Sequence, residues 1–239
     1  MTLHGKRVVV LGGTAGIGLA TARAAADEGA EVVVASSRQS TVDKALTELP
    51  SGATGLALDL RTESAIAEFF AELGEFDHLV YTAGGLLQVG ALAETEMTAA
   101  RDFFEVRYWG AMAAVKYATP YLRSGGSITL TSGGTSQRPQ SGWTTPTAVC
   151  GATEALTRAL AVELAPLRVN AVRPGLVRTD LWRNLSETDR AVLYEQVERT
   201  LPVGRVGEPA DIARGYLYLM TQEYGTGVVL TLDGGHLLV

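Results

Sequence analysis

The sequence predicts a doubly wound α/β domain with a seven-stranded parallel sheet and helices on both faces. Two periodicities alternate along the chain, short β-branched apolar runs and longer stretches with helical spacing. Regular β-α-β alternation implies parallel strands joined by helical crossovers. No composition break, flexible linker or internal repeat divides the chain, so residues 1–239 are expected to form one domain.

The elements follow in order. Arg7-Val-Val-Val-Leu11 is a buried strand, with apolar residues on both faces. An Ala-rich helix runs from Gly16 to Gly29, with Gly29 at its end. Glu31 to Ala35 is the second strand and Val42 to Leu49 a short helix. Thr54 to Leu58 and Thr62 to Leu73 repeat the pair, with Thr62 as a capping residue. Asp77 to Tyr81 is the fourth strand, and one long helix is expected from Thr98 to Leu122. Ser127 to Thr131 is the fifth strand. A polar loop follows, and then a helix from about Pro146 to Leu164, capped by Thr145. Arg168 to Val172 is the sixth strand, Ala210 to Met220 the last helix and Gly227 to Leu232 the last strand. A charge-richer helical insertion at 181–200 is expected to cover a ligand crevice.

Composition narrows the function classes. Apolar residues make up 46% and charged residues 19% of the 239, which excludes a disordered chain. No uninterrupted apolar run approaches the roughly 18 residues of a membrane span. Met1 to Arg7 lacks the apolar core of a signal peptide. The single cysteine, Cys150, excludes an internal disulfide, and no His/Cys cluster suggests a metal. A cytoplasmic protein is expected. A net charge of −6 without a basic run argues against a nucleic-acid partner.

The turn Gly12-Gly13-Thr14-Ala15-Gly16-Ile17-Gly18 joins the first strand to the first helix. Outward N–H groups and a positive helix end make such a turn an anion site, and glycine admits a pyrophosphate. Strand before and helix after are the context a dinucleotide site needs. At the end of the second strand an acid would bind a ribose 2′-hydroxyl, whereas an arginine would accept a 2′-phosphate. Here stands Ala35-Ser36-Ser37-Arg38, with no acid before Asp43. Ser37 and Arg38 therefore favour NADP(H) over NAD(H).

These residues carry a resemblance. Along nearly its whole length the chain is similar to the short-chain dehydrogenase/reductase family. Leu11-Gly12-x-x-x-Gly16-Ile17-Gly18 stands for that family's T-G-x-x-x-G-x-G. Asp59-Leu60 matches its adenine-binding Asp, and Tyr81-Thr82-Ala83-Gly84 its N-N-A-G. Arg168-Val-Asn-Ala-Val-Arg-Pro-Gly175, followed by Thr179, matches the stretch bordering the nicotinamide, so Pro174, Gly175 and Thr179 are expected there. Gly204 to Pro209 and Leu232 to Gly235 match its C-terminal signatures. The resemblance implies a Rossmann-type fold, a nicotinamide cofactor, a small-molecule substrate and a homo-oligomer, dimer or tetramer. The Ala-rich stretches around Ala111, Ala114, Ala152 and Ala159 would form its face, unless they simply pack on the sheet.

The family's catalytic residues are missing. Its Tyr-x-x-x-Lys pair falls on Pro146 and Cys150, its Ser on Gly133 and its Asn on Arg107. No tyrosine lies between Tyr121 and Tyr194 to replace the Tyr. Arg107 is the candidate substitute, a fixed positive fork for a substrate carboxylate or a developing oxyanion. It cannot donate a proton at neutral pH. Its alternative is a surface position or a carboxylate partner. Ser132 is a second candidate, for a substrate carbonyl, if its side chain faces the crevice. Cys150 reads as a small buried apolar residue rather than a nucleophile. Tyr81 and Tyr108 read as core aromatics, and Arg138, Trp143 and Trp182 fall on segments expected near the substrate. Two functions follow: an NADP(H)-dependent oxidoreductase with altered proton chemistry, acting on a small carbonyl, imine or activated alkene, or a non-redox enzyme or binding protein on the same fold.

Overall fold

The computed structural model describes residues 2–239 as one Rossmann-type α/β domain. Its strands are β1 (Arg7–Leu11), β2 (Glu31–Ser36), β3 (Thr54–Ala57), β4 (Phe76–Tyr81), β5 (Leu122–Thr131), β6 (Arg168–Pro174) and β7 (Val229–Leu232). Its helices are α1 (Gly16–Asp27), α2 (Gln39–Glu48), α3 (Glu63–Leu73), α4 (Met97–Phe104), α5 (Gly110–Ala118), α6 (Thr144–Glu163), α7 (Glu187–Thr200) and α8 (Pro209–Thr221). The sheet is parallel throughout, in the order β3-β2-β1-β4-β5-β6-β7.

Successive residues of a strand point to opposite faces, so a strand covered on both sides must be apolar at every position. In β1, Val9 and Leu11 join one buried cluster with Phe70 of α3, Ala114 of α5 and Leu156 of α6. Val8 and Val10 join the other, with Ala22 of α1 and Tyr216 of α8. The strand order reverses between β1 and β4. Their crossovers leave toward opposite edges, and a crevice opens at their carboxyl ends.

The long helix expected from Thr98 to Leu122 is broken. Between α4 and α5 the backbone widens into a π turn, Glu105–Trp109, whose closing Gly110 N–H returns to the Glu105 carbonyl. Two contacts account for it. The buried Tyr81 hydroxyl donates to the Val106 carbonyl. A Cβ at Gly110 would lie 2.6 Å from the Leu60 carbonyl oxygen and 2.8 Å from Tyr81 Oη, so glycine lets the turn sit down on β4. The helical register ends at Ala118, and β5 begins at Leu122, earlier than Ser127.

Capping also departs from expectation. Thr62 occupies the N-cap position of α3 without a side-chain cap hydrogen bond. Trp143, not Thr145, is the N-cap of α6, and Thr145 lies inside the first turn, as does Pro146. The insertion is a short 3₁₀ turn, Asp180–Trp182, followed by α7, which has no buried residue.

At the opposite end of the sheet, Asp77 is 3% exposed and accepts from the Arg7 N–H, Lys6 Nζ and Arg123 Nη1. Burial alone would raise its pKa, but these three donors overcome it and hold the carboxyl below the ordinary aspartate value. Asp77→Asn is expected to cost about 1–3 kcal/mol at neutral pH, toward the low end because Lys6 and Arg123 are half-exposed. The depressed pKa makes this contribution complete above the unfolded value, near about 4, and lost as pH falls through the lower folded one. Denaturant melts of the two proteins should therefore differ at pH 7 and converge in acid. A gap that does not narrow in acid would contradict an ionised Asp77.

Candidate functional site

The glycine turn follows β1 without room for side chains. Gly12 has φ +87°, and a Cβ there would lie 2.5 Å from the Ala83 nitrogen. A Cβ on Gly18 would lie 2.2 Å from the Gly12 carbonyl oxygen. Helix α1 starts at Gly16 behind Ala15, which has no side-chain acceptor to occupy the first N–H groups. The result is a cradle of backbone donors at a positive helix end, a fit for a pyrophosphate.

Every residue expected at the site lines a single cavity of about 910 Å³. Gly12, Thr14, Gly16, Ile17 and Gly18 form its floor at the switch point. Ser37 and Arg38 lie exposed at its β2 end, and among the described residues Arg38 has no ion pair. Asp43 points its carboxylate to Gln39 Nε2, at 2.8 Å. Asp59 and Leu60 continue the rim after β3, and Ala83 and Gly84 after β4. Pro174, Gly175 and Thr179 close the far side, where a Cβ on Gly16 would come within 3.2 Å of the Thr179 methyl. This half can hold a dinucleotide with its 2′-phosphate at Arg38.

The other half holds the residues that the sequence resemblance sets at the family's catalytic positions. Pro146 and Cys150 lie on the inward face of α6, and Gly133 follows β5. A Cβ on Gly133 would stand 3.2 Å from Cys150 Sγ. Burial, the main cause, pushes the Cys150 thiol up to about 11, so it stays protonated and inert at neutral pH. Arg107 projects from the π turn into this half. Its guanidinium lies over the Phe103 ring, 4.5 Å from the centroid, and Nη2 donates to the Gly85 carbonyl at 2.9 Å. Buried Nε has no partner, and among the described residues no carboxylate pairs with the group. Burial lowers its pKa, the mark of a desolvated cation. A Cβ on Gly84 would meet its Cζ at 2.6 Å, so Gly84 is the slot it occupies.

Ser132 also lines the cavity, but it belongs to a network that the sequence reading missed. Glu154 of α6 is buried and paired with Arg173 of β6, Nη2 to Oε2 at 2.7 Å and Nε to Oε1 at 2.8 Å. Ser132 Oγ donates to Oε1 at 2.7 Å and Ser136 Oγ at 2.5 Å. Burial opposes ionisation of Glu154, and Arg173, Ser136 and Ser132 outweigh it. The available signal was an acid four residues after Cys150, one turn on along the same inward face. Trp143 and Trp182 stand side by side in the cavity wall, ring centroids 6.3 Å apart, and Leu193 and Val197 of α7 complete it. Arg138 reaches the His236 carbonyl at 2.7 Å. Tyr81 is a core residue, and Tyr108 packs edge-on against Phe104 and Trp109.

Comparison with known proteins now has a geometry to meet. A family model described as enoyl-(acyl carrier protein) reductase matches residues 12–236. The chain is 39% identical to the short-chain dehydrogenase/reductase ucsE of Acremonium sp, over 99% of this chain and 97% of that protein. The chain belongs to the short-chain dehydrogenase/reductase family. Among solved structures, this reductase-family chain is similar to a small-chain dehydrogenase in complex with NADPH, at 40% identity and TM-score 0.88, covering 98% of this chain and 99% of that one. It is also similar to the MalC reductase/Diels–Alderase from Malbranchea aurantiaca, at 31% identity and TM-score 0.91, covering 99% and 98%.

The slot at Gly84 yields a prediction for this family member. Gly84→Ala places a methyl on the guanidinium and must displace Arg107, a flexible side chain, while β4 stays intact. Thermal melting should shift only slightly, whereas binding of small carboxylates should weaken by about tenfold, the worth of one charge-assisted contact. Titration of acetate or benzoate by NMR checks it; unchanged carboxylate affinity with a displaced Arg107 would show that Arg107 holds no ligand.

Proposed function

We propose that the protein is an NADP(H)-dependent oxidoreductase of the short-chain dehydrogenase/reductase type that acts on a small organic carbonyl, imine or activated alkene without a Tyr–Lys acid/base pair. One observation carries this reading. A single cavity joins a dinucleotide cradle, with Arg38, free of ion pairs among the described residues, where a ribose-binding acid would stand, to a half lined by Arg107, Gly133, Pro146 and Cys150. The likeness to a dehydrogenase that holds NADPH supports the cofactor.

When bound, the cofactor supplies or accepts hydride, and the chain has to bind, orient and polarise. The glycine turn and α1 hold the pyrophosphate; Ser37 and Arg38 hold the 2′-phosphate. Asp59 and Leu60 border the adenine end. Pro174, Gly175 and Thr179 border the nicotinamide end. Arg107 aims guanidinium donors at a substrate oxygen, where negative charge builds as the reaction proceeds. Out of water such a contact is stronger than in it. Arg107 holds its proton, so proton delivery falls to water or to the substrate itself. Trp143, Trp182 and α7 cover this end and limit water, the role assigned to the 181–200 insertion.

A second reading is non-redox. Arg107 can polarise a carbonyl with no hydride moving, and the chain is similar to MalC, a reductase/Diels–Alderase. A homo-oligomer, dimer or tetramer, is the proposed assembly; Ala111 and Ala114 pack into the core, and the support is exposed Trp109, Met112 and Val162 on the central helices. Among the described residues no helix is long and apolar enough to cross a membrane, and we place the protein in the cytoplasm.

One measurement tests the cofactor site and a second decides between the readings. Calorimetry should give NADPH an advantage over NADH of about 1.5–3 kcal/mol, roughly ten- to a hundredfold, removed by Arg38→Ala. Equal affinity in the wild type would reject Arg38 as the 2′-phosphate site. Single-turnover absorbance of the reduced nicotinamide, across ketones, imines and enones, should show loss of the band with imines or enones. Simple ketones should lag by about 10²–10⁴-fold, the usual worth of a positioned acid. A band that survives every substrate class would favour the non-redox reading, and rapid ketone reduction would refute the assignment of the altered site.

A further inference from the structure

Four hydrogen bonds converge on Glu154 and decide what Ser132 can offer a ligand. Arg173 holds both carboxylate oxygens, and Ser132 and Ser136 both reach Oε1. An ionised carboxylate only accepts, so the Ser132 proton is spent on it. The Cys150 carbonyl oxygen, 3.3 Å from Ser132 Oγ, also only accepts. Among the described residues the protonated Cys150 thiol is the one donor beside Ser132 and fills one lone pair of Oγ, so a second lone pair stays free. Ser132 is 8% exposed and lines the cavity that Arg107 enters. Cys150 ties the two together: Ser132 touches its carbonyl, and the Arg107 charge acts on its thiol.

We propose that Ser132 is a hydrogen-bond acceptor toward the substrate, its polarity set by the buried Glu154–Arg173 pair, and that with donor-only Arg107 it selects ligands carrying an N–H or O–H beside a carbonyl or oxyanion. This rests on the reading above that the Arg107 half of the cavity holds the substrate. The matching class is a secondary amide, a lactam or a hydroxy-carbonyl compound. Two donors side by side would favour a bare anion; a donor beside an acceptor favours a group that offers both. Glu154 touches no ligand in this scheme. It is a positioning residue that acts through Ser132, and Ser136 shares the carboxylate.

The test uses two rings of the same size, 2-pyrrolidinone and γ-butyrolactone, which differ by an N–H in place of an ether oxygen. Affinities are read from NMR shifts of cavity residues in the full chain, with and without NADPH. The decisive quantity is the lactam-to-lactone preference in wild type divided by that in Ser132→Ala, because the variant removes the acceptor and keeps the intrinsic difference between the rings. The quotient should be about two- to tenfold, the net worth of one hydrogen bond, through weaker lactam binding. Arg107→Ala should weaken both rings alike. Glu154→Gln places an amide N–H₂ within reach of Ser132 and should shift the preference toward the lactone where melting shows a folded protein. Ser136→Ala should leave it unchanged.

A quotient of one overturns the proposal. So does equal weakening of both rings by Ser132→Ala, which would make Ser132 a donor to the carbonyl, and so does a lactam that perturbs no cavity residue. Because the quotient is also read without NADPH, failure of the cofactor assignment appears separately, as absent NADPH binding. If Glu154→Gln does not fold, Ser132→Ala alone decides.

Discussion

Backbone meets backbone at the switch point, and the site is laid out from that contact. The Gly12 nitrogen donates to the Ala35 carbonyl and the Thr82 nitrogen to the Leu11 carbonyl, both at 2.8 Å, locking the ends of β1, β2 and β4 together. Gly12 then passes Ala83 with no space for a Cβ, and Gly18 brings α1 back over Gly12. Thr82 Oγ1 also donates to the Leu11 and Gly12 carbonyls. This packing aims the α1 end at the cavity. One residue beyond Ala83, the same descent of the chain leaves the slot at Gly84 that receives Arg107. Cofactor cradle and cation are thus set by one backbone crossing.

Gly133 and Cys150, which the sequence resemblance sets at the family's Ser and Lys positions, accommodate one another. Sγ already stands at contact distance from where a Gly133 Cβ would be, so a larger residue at 133 would crowd it. Pro146 in the first turn of α6 leaves the helix intact because an N–H there has no partner within the helix. The fold therefore keeps α6 while its inward face turns apolar. Cys150, protonated by burial, belongs to that apolar face and not to the chemistry. Below it Glu154 restores polarity, but in a closed network in which every carboxylate oxygen is engaged.

The fold was legible in the sequence because its causes are local. Val8 to Leu11 must be apolar on both faces to lie between helices, and the order of strands and helices leaves few topologies. The glycine turn was legible for a similar reason: Gly12 and Gly18 are demanded by backbone approach and Gly16 by its φ of +50°. What could not be read depends on contacts between distant segments. The break at Glu105–Trp109 needs the Tyr81 hydroxyl, 25 residues earlier, and a seat on Leu60. The burial of Glu154 needs Arg173, 19 residues later, on another strand. Thr62 and Thr145 are good capping residues whose side chains cap nothing: Thr62 stands at the N-cap of α3 without the bond, and α6 begins two residues earlier than expected, behind Trp143.

The π turn links these levels. In a continuous α-helix each residue adds about 100° of rotation, so one extra residue in a turn re-aims every side chain beyond it. The Tyr81–Val106 bond holds that extra residue in place, and Arg107 is the next side chain along. Among the described residues the guanidinium finds no carboxylate, only a carbonyl at Gly85, the face of Phe103 and, at Nε, nothing. A buried cation with spare donors is costly unless a ligand or water completes it. The cost is carried where the helix widens into the π turn, at the edge of the cavity. A break in helical register and an incomplete hydrogen-bond set coincide at a cavity, the kind of local inconsistency expected at a functional site.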